Sequence, residues 1–404
     1  MTFNPLNGKN ILLGVTGSIA AYKGVDLASK LSQAGAMVDV VLTPAAENFI
    51  LPLTFQSVTG RRAYVDRDLW GGEGHVTHIA IGHAAHLVLI APASANTIAK
   101  LANGIADNLL TVASLASTCP ILLAPAMDGG MFLNPATQEN LDRLKQRGVQ
   151  FIGPAAGHLA SGLSGIGRMS EPVEILSTAR WLLGRNGPLA GKKVVVSAGG
   201  TQEAIDPVRV ITNRSSGRQG YAIAQAAIDA GADVVLITTP VSLTAPAGCR
   251  VISICTAQEL LTEVLAECKD AHALIMAAAP ADFRPKTTAA EKIKKRSGFT
   301  TIELEPTSDI LAEVAAQKPN TGGPKYSIGF AAESQNLVDN AVEKLHKKSL
   351  DMIVANNISE PGSGFEGDTN RVIFLFSDGS RREYPRQQKT EVAEAIIAQV
   401  IAWG

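Results

Sequence analysis

The sequence predicts an α/β protein with two mononucleotide-type units in one chain, and three observations carry that prediction. Short apolar, β-branched runs alternate with helix-length segments, as strands do when joined through crossover helices. A strand, a small-residue turn and a helix start follow one another at Asn10–Val15, Thr16-Gly17-Ser18 and Ile19–Gln33, and the plan returns at Val194–Ser197, Ala198-Gly199-Gly200-Thr201 and Tyr221–Ala230. Such turns present backbone N–H groups to a phosphate. The echo continues without a gap: Ala34-Gly35-Ala36-Met37-Val38 and Ala230-Gly231-Ala232-Asp233-Val234 each open a further strand, closed by Thr43-Pro44 and Thr239-Pro240. Copies about two hundred residues apart suit two α/β domains of ordinary size, whereas a solenoid has a far shorter period.

The 404 residues can bury more than one core. With 46% hydrophobic and 18% charged residues and a net charge of −1, the chain reads as globular, with no electrostatic footprint for nucleic acid or an anionic membrane. No charged-then-apolar leader precedes Asn10, and runs such as Ala84–Ala93 are too short to cross a bilayer, so a soluble, cytoplasmic protein is expected. Cys119, Cys249, Cys255 and Cys268 have neither metal-site spacing nor the density of a disulfide framework, and read as reduced thiols.

Along the first unit, Val38–Leu42 is a buried strand whose Thr43-Pro44 end marks the carboxyl edge of a parallel sheet, where ligands of open α/β sheets gather. Ala45–Phe49 and Thr54–Val58 read as short helical pieces and Asp66–Gly74 as a polar loop. Gly74–His86 holds four of the seven histidines, His75, His78, His83 and His86, in two His-x-x-His pairs. No Cys, Asp or Glu converges on them at ligand spacing, which disfavours a metal site. One histidine serving as general acid/base in a cleft is the better functional reading, while surface or cap roles suit His75, His83 and His86. Leu87–Ala91 is an apolar strand running into Pro92-Ala93-Ser94-Ala95-Asn96-Thr97, whose Ser94, Asn96 and Thr97 can satisfy helix N-terminal N–H groups or a phosphate lodged there; local pattern slightly favours capping. Ile121–Ala124 is the fourth strand, and Pro125–Phe132 an apolar loop with one acid, Asp128. Gly157–Met169 has frequent glycines and no buried face of its own, the composition of a mobile flap. Pro172–Leu183 is a closing helix and Gly184–Pro188 a linker, which divides the chain into 1–186 and 187–404.

In the second unit strands are expected at Val194–Ser197, Val234–Thr238, Arg250–Ile254, Ala273–Met276, Tyr326–Phe330, Met352–Ala355 and Val372–Phe376, with helices at Ala257–Cys268, Leu337–Lys347 and Lys389–Trp403. Pro280–Arg296 carries Asp282, Lys286, Lys292, Lys294, Lys295 and Arg296 after an apolar strand. A charge run is ordinarily a solvated face, but at a strand's end it is placed to meet a polyanion.

Taken together, Gly14–Lys23, the His78 segment, Ala91–Asn96, Pro125-Ala126-Met127 and Gly165–Met169, followed by Asp206-Pro207-Val208-Arg209, Asn213–Gly217, Ala281-Asp282-Phe283, Glu291–Lys295 and Gly329–Glu333, span nearly the whole chain. In that order they resemble the bifunctional phosphopantothenoylcysteine decarboxylase and phosphopantothenate-cysteine ligase family of bacterial coenzyme A synthesis. The resemblance implies a flavodoxin-like domain of the homo-oligomeric flavin-containing decarboxylase type, followed by a Rossmann-like α/β ligase domain. It implies FMN in the first, and the chemistry explains why: a cysteine carboxylate has no electron sink for the carbanion that decarboxylation leaves. Oxidation of the thiol to a thioaldehyde provides the sink, and the reduced flavin later returns the hydride. By the resemblance His78 is the acid or base, acting on flavin of a neighbouring subunit in a trimer, and Gly17, Ser18, Thr43, Ser94 and Asn96 contact FMN. Two positions depart from the family's pattern. Asp128 replaces an asparagine whose amide binds the substrate carboxylate; an ionised Asp128 would repel that group, so it is either protonated or in contact with something else. Ser161 replaces the cysteine that protonates the enethiolate, so water or another group delivers the proton, or reduction is slow.

For the second half the resemblance implies a CTP-dependent ligase, in which the 4′-phosphopantothenate carboxylate attacks the α-phosphate, pyrophosphate leaves, and the amine of cysteine opens the acyl-cytidylate. Lys292 can neutralise the triphosphate, Asp282 can accept from ribose or base, and Asn213 can orient the acyl intermediate with Arg209 supporting its loop. By its residues alone, Asn213 also reads as a helix cap. Ala278, Asp309, Phe330, Lys344 and Lys348 are further implied CTP contacts, with Mg²⁺ on the phosphates and no side-chain metal ligands assigned. The implied partners are small molecules, with no nucleic acid or membrane, and trimeric first domains joined to dimeric second domains imply a dodecamer. The rival readings are a flavoprotein decarboxylase with only one active half and a non-catalytic regulatory flavoprotein; the intact ligase marks weigh against the first.

Overall fold

Strands and helices alternate as the apolar runs require in a computed structural model, which describes residues 3–70, 76–158, 162, 164–294, 301–333, 336–357 and 367–404. The expected functional residues His75, Ser161, Lys295 and Arg296, and the loop residues 71–74, lie outside the described residues. The chain separates into two units, Asn4–Leu183 and Gly184–Gly404.

The first unit runs β1 (Asn10–Val15), α1 (Ala21–Gln33), β2 (Met37–Leu42), α2 (Pro52–Thr59), β3 (Ala63–Tyr64), α3 (Thr77–Ala84), β4 (Leu87–Ala93), α4 (Ala95–Asn103), α5 (Leu109–Ala116), β5 (Ile121–Pro125), α6 (Gly129–Leu133), α7 (Pro135–Gln146), β6 (Gln150–Phe151), β7 (Ala155–His158), β8 (Ser164–Arg168) and α8 (Pro172–Gly184). Its main sheet is parallel, in the order β3-β2-β1-β4-β5-β6. β4 is buried along its whole length, which is why it reads as an unbroken apolar run. Alternate residues of β1 enter opposite cores: Ile11, Leu13 and Val15 pack with Leu27, Leu31 and Phe55, and Leu12 with Ile90 and Leu110.

The second unit runs β9 (Lys193–Ala198), β10 (Gln202–Ala204), β11 (Val210–Thr212), α9 (Arg218–Asp229), β12 (Asp233–Thr238), β13 (Arg250–Ser253), α10 (Ala257–Glu267), β14 (Ala273–Met276), β15 (Phe283–Pro285), β16 (Leu304–Pro306), α11 (Ile310–Thr321), β17 (Tyr326–Glu333), α12 (Leu337–Lys347), β18 (Met352–Asn357), β19 (Thr369–Phe376), β20 (Arg381–Gln388) and α13 (Lys389–Ala402). Its sheet order is β13-β12-β9-β14-β17-β18-β19-β20, parallel as far as β18 and antiparallel at the β19–β20 edge. Two antiparallel ribbons, β10–β11 and β15–β16, stand outside that sheet.

Both units share one topology. The first strand sits between the second and the one that follows the reversal of direction, so each sheet has a topological switch point, at β1/β4 and at β9/β14. Gly35 and Gly231 occupy the same place in the repeat with φ of 90° and 89°, a turn that any side chain would strain.

Three stretches differ from expectation. Pro125–Phe132 is only partly a loop, because the Asp128 side chain caps the short helix α6. Asp66–Trp70 winds into a 3₁₀ turn. Gly157–Met169 is not faceless: β7 and β8 pair, the Met127 N–H donates to the Gly167 carbonyl at 3.0 Å, and Met169 is buried. One anchoring methionine leaves no periodicity to read, and a Cβ on Gly167 would collide with the Met127 carbonyl oxygen. Among the described residues, no helix is long and apolar enough to cross a membrane.

Candidate functional site

In the first unit the loops after β1, β2 and β4 meet at the switch point. The Thr16 hydroxyl donates to the Pro92 carbonyl at 2.7 Å and accepts from the Ser94 N–H at 2.9 Å, locking the first turn to the end of β4. A Cβ on Gly17 would lie 2.5 Å from that of Ala45, so only a bare residue lets this turn pack on the loop after β2. Ser18 Oγ accepts from the Ala20 N–H at 3.3 Å, Thr43 is buried, and Ser94 caps α4 by accepting from the Thr97 N–H at 3.4 Å. Asn96 is exposed in the first turn of α4. All five expected FMN contacts therefore fall on one carboxyl edge.

A cavity of about 400 Å³ opens beside them, lined by Ser18, Tyr22, Lys23, Asp128, His158 and Arg168 among others. That volume suits a small-molecule site. Of the expected residues it gathers Ser18 and Asp128, and does not include Thr43, Ser94, Asn96 or His78. Asp128 Oδ1 accepts from the Gly130 N–H at 2.9 Å, at the start of α6. His78 lies on α3; among the described residues its Nδ1 is shielded from solvent and has no hydrogen-bond partner. His86 has a structural role, its Nδ1 accepting from the Asn10 N–H at 3.2 Å.

Sequence reading missed the basic side of this cavity. Lys23 is 6% exposed and its Nζ donates to Glu171 Oε1 at 2.9 Å and to the Met169 carbonyl at 3.3 Å, while Arg168 reaches the same Oε1 at 2.6 Å. The Lys23 ammonium, acting against desolvation, holds the Glu171 carboxyl below the usual carboxylate range. A lysine on the buried face of α1 was the available signal, but its partner lies 148 residues away.

In the second unit the ends of β9 and β14 are stitched together: Ala279 N–H donates to Gly199 O at 2.8 Å, Thr201 N–H to Ala279 O at 3.3 Å, and Ala278 N–H to Ser197 Oγ at 3.1 Å. Asn213 Nδ2 donates to the carbonyls of Ala279 and Pro280 at 3.1 and 3.0 Å. The N-cap of α9 is Gly217, so Asn213 is not a cap but a tie between the turn before α9 and the loop after β14. Asp282 is exposed next in that loop. Asp309 caps α11 through the Ala312 N–H at 3.2 Å and pairs with Lys348 Nζ at 3.1 Å. Lys344 lies one turn before Lys348, and Phe330 is half-buried in β17.

Arg209 forms an ion pair with Asp206, which is 1% exposed, and its Nη2 also donates to the Ile293 carbonyl at 3.0 Å. The Arg209 guanidinium holds the Asp206 carboxyl far below the usual carboxylate range. Lys292, next to Ile293, is exposed. Arg209 is thus joined to the Lys292 segment through Ile293, Asn213 to the loop after β14, and Asp309 to Lys348, as three separate sets of contacts. Among the described residues no three His, Cys, Asp or Glu side chains cluster as metal ligands, and the four cysteines are free.

Residues 3–183 match the family described as Flavoprotein, and residues 189–403 the DNA/pantothenate metabolism flavoprotein C-terminal domain. The chain is 44% identical over 400 residues to the coenzyme A biosynthesis bifunctional protein CoaBC of Bacillus subtilis, covering 98% of each. It is 41% identical over 398 residues to the protein of the same name from Haemophilus influenzae, again covering 98% of each. Among solved structures it is similar to the C-terminal domain of a coenzyme A biosynthesis bifunctional protein CoaBC, at 36% identity, a TM-score of 0.46, and coverage of 54% of this chain and 98% of that one.

Proposed function

The chain belongs to the family of bifunctional coenzyme A biosynthesis proteins, and from that premise we propose which residues perform its two steps. It is a ligase and an FMN-dependent decarboxylase in one polypeptide: 4′-phosphopantothenate is joined to cysteine, and phosphopantothenoylcysteine is then decarboxylated to 4′-phosphopantetheine. We assign the decarboxylase to 1–186 and the CTP-dependent ligase to 187–404. The observation supporting this division is that each unit has its own sheet with its own switch point, at β1/β4 and at β9/β14, where ligands of open α/β sheets gather.

The first crevice fits FMN by its donors. Ser18, Thr43, Ser94 and Asn96 bring hydroxyls and an amide to the carboxyl edge, and Gly17 keeps the turn low against Ala45. FMN bound there supplies the reversible oxidation that gives the carboxylate an electron sink. Lys23 and Arg168 make the adjacent cavity cationic on one side, suited to an anionic substrate, and Asp128 borders it as a fixed acceptor. His78, which is not part of that cavity, reaches the crevice of a neighbouring subunit in a trimer-based homo-oligomer. By sequence, Ser161 stands at the position the family gives to its proton donor.

In the second crevice Lys292, Lys344 and Lys348 meet the triphosphate, with Mg²⁺ arriving on the phosphates, since this ion keeps much of its water and needs few protein ligands. Asp282, Ala278, Asp309 and Phe330 border the nucleoside, and Asn213 orients the acyl-cytidylate. The cytoplasm, where CTP and free cysteine are at hand, is the compartment we assign. The test is Asn213→Asp, which sets a carboxylate against two carbonyl oxygens. It should accumulate acyl-cytidylate and slow amide formation on the order of 100-fold; near-normal turnover would contradict the assignment.

A further inference from the structure

The ribbon β10–β11 carries more than its own turn. Its base is anchored: the Gln202 N–H donates to the Cys255 carbonyl at 2.8 Å, and Glu203 Oε1 accepts from the Ala257 N–H at 2.8 Å, at the start of α10. From that base one edge of the ribbon takes up the segment after β15. Thr288 Oγ1 donates to Ala204 O at 3.1 Å and the Ala289 N–H to Ile205 O at 3.0 Å. The last contact of this series is a side chain. Asp206 Oδ2 accepts from the Ile293 N–H at 3.1 Å, while Arg209 Nη2 donates back to the Ile293 carbonyl at 3.0 Å.

The two oxygens of Asp206 divide the work. Oδ1 accepts from the Val208 and Arg209 N–H groups, both at 2.9 Å, and closes the turn of the ribbon. Oδ2 accepts from Arg209 Nε at 3.0 Å, from Arg209 Nη2, and from Ile293. A buried carboxylate that accepts from several N–H donors at once is a rigid fixture, because each bond is charge-assisted. The other end of the same ribbon leads, through Thr212, into Asn213.

We propose that Asp206 is a positioning residue for the ligase step: its Oδ2 clips the backbone at Ile293, and so fixes Lys292 in register with Asn213. This rests on the assignment of Lys292 to the triphosphate. Without the clip, the 290–294 segment keeps its attachment at Ala289 but swings beyond it, and Lys292 meets CTP from many positions instead of one.

The experiment is a double-mutant cycle in the full-length, FMN-loaded protein, reading the KM for CTP and the kcat of pyrophosphate release. Asp206→Asn keeps the size and the acceptor for the turn, but points an amide donor at the Ile293 N–H. It should raise the KM for CTP about tenfold in the native background and no more than about twofold in Lys292→Gln, because a residue acting through another has nothing left to lose once that other is gone. Ile293→Pro removes the clipped N–H without touching the Asp206–Arg209 pair, and should reproduce the rise in KM even if Asp206→Asn folds poorly. Equal losses from Asp206→Asn in both backgrounds, or an unchanged KM in Ile293→Pro, would overturn the proposal while leaving Lys292 in place. Normal turnover by Lys292→Gln alone would instead remove the reading of Lys292 itself, and the clip with it.

Discussion

Asp128 is the residue at which chemistry and geometry meet most directly. Its side chain caps α6 while bordering the cavity that Lys23 and Arg168 also line, which we propose takes the anionic substrate. Asparagine caps a helix about as well as aspartate, so Asp128→Asn should keep the local fold and lower the KM for phosphopantothenoylcysteine about fivefold, the worth of removing ~1 kcal/mol of like-charge repulsion. An unchanged KM would place the substrate carboxylate elsewhere. Glu171 gives a pH signature. Its folded carboxyl is held below its unfolded value by Lys23, so the stabilisation is present above the unfolded value of about 4.3 and is lost as pH falls through the folded one. Glu171→Gln should therefore flatten the acid loss of first-unit stability, followed as flavin release below pH ~4.3. Such residues were only half legible in the sequence. Asp128 stood out as the lone acid in an apolar loop, whereas Lys23 could not be paired with Glu171 because contacts this distant leave no local pattern.

Elements whose cause is local were the ones that could be read. β1, β4, β9, β12 and β14 are, past their first residues, runs buried on both faces, and α12 shows its amphipathic face in sequence. The ribbons β7–β8, β10–β11 and β15–β16 were missed because their stability comes from what they lie on. Ser94 caps α4 and is also our proposed FMN contact, so Ser94→Ala should cost about 1 kcal/mol of stability through the lost cap and also weaken FMN binding. A loss of stability without weaker binding would make it a cap alone. At the opposite end of the second sheet, His272 precedes β14, edge-on to Tyr326, which stacks on Trp403. Burial first, then Lys192 and Lys325, lower the pKa of His272. Its neutral form is the folded one, so its contribution is present above about pH 6.5 and is lost as pH falls through the depressed value. His272→Phe should remove the acid-induced rise in hydrogen exchange of β14 and β17; an unchanged rise would assign that pH dependence to other groups.

For the whole molecule, the repeated plan is the organising fact, and it was visible in the sequence as an echo that needs no gap between Ala34–Pro44 and Ala230–Pro240. Assembly is not legible in residue pattern, because an exposed apolar surface looks the same whether or not a partner covers it. The first unit exposes Ile19, Tyr22, Phe49, Leu51 and Leu53, and its His78 is absent from its own cavity. If subunits share sites, His78→Asn and Asn96→Ala chains, each inactive alone, should regain part of the decarboxylase activity when mixed and reassembled; no recovery would place His78 in its own subunit's crevice. The account stands most directly on one measurement. Purified protein given 4′-phosphopantothenate, cysteine, CTP and Mg²⁺ should release pyrophosphate and CO₂ in equal amounts and form 4′-phosphopantetheine. Pyrophosphate without CO₂, or no pyrophosphate at all, would contradict the claim that two crevices in one chain carry out consecutive steps.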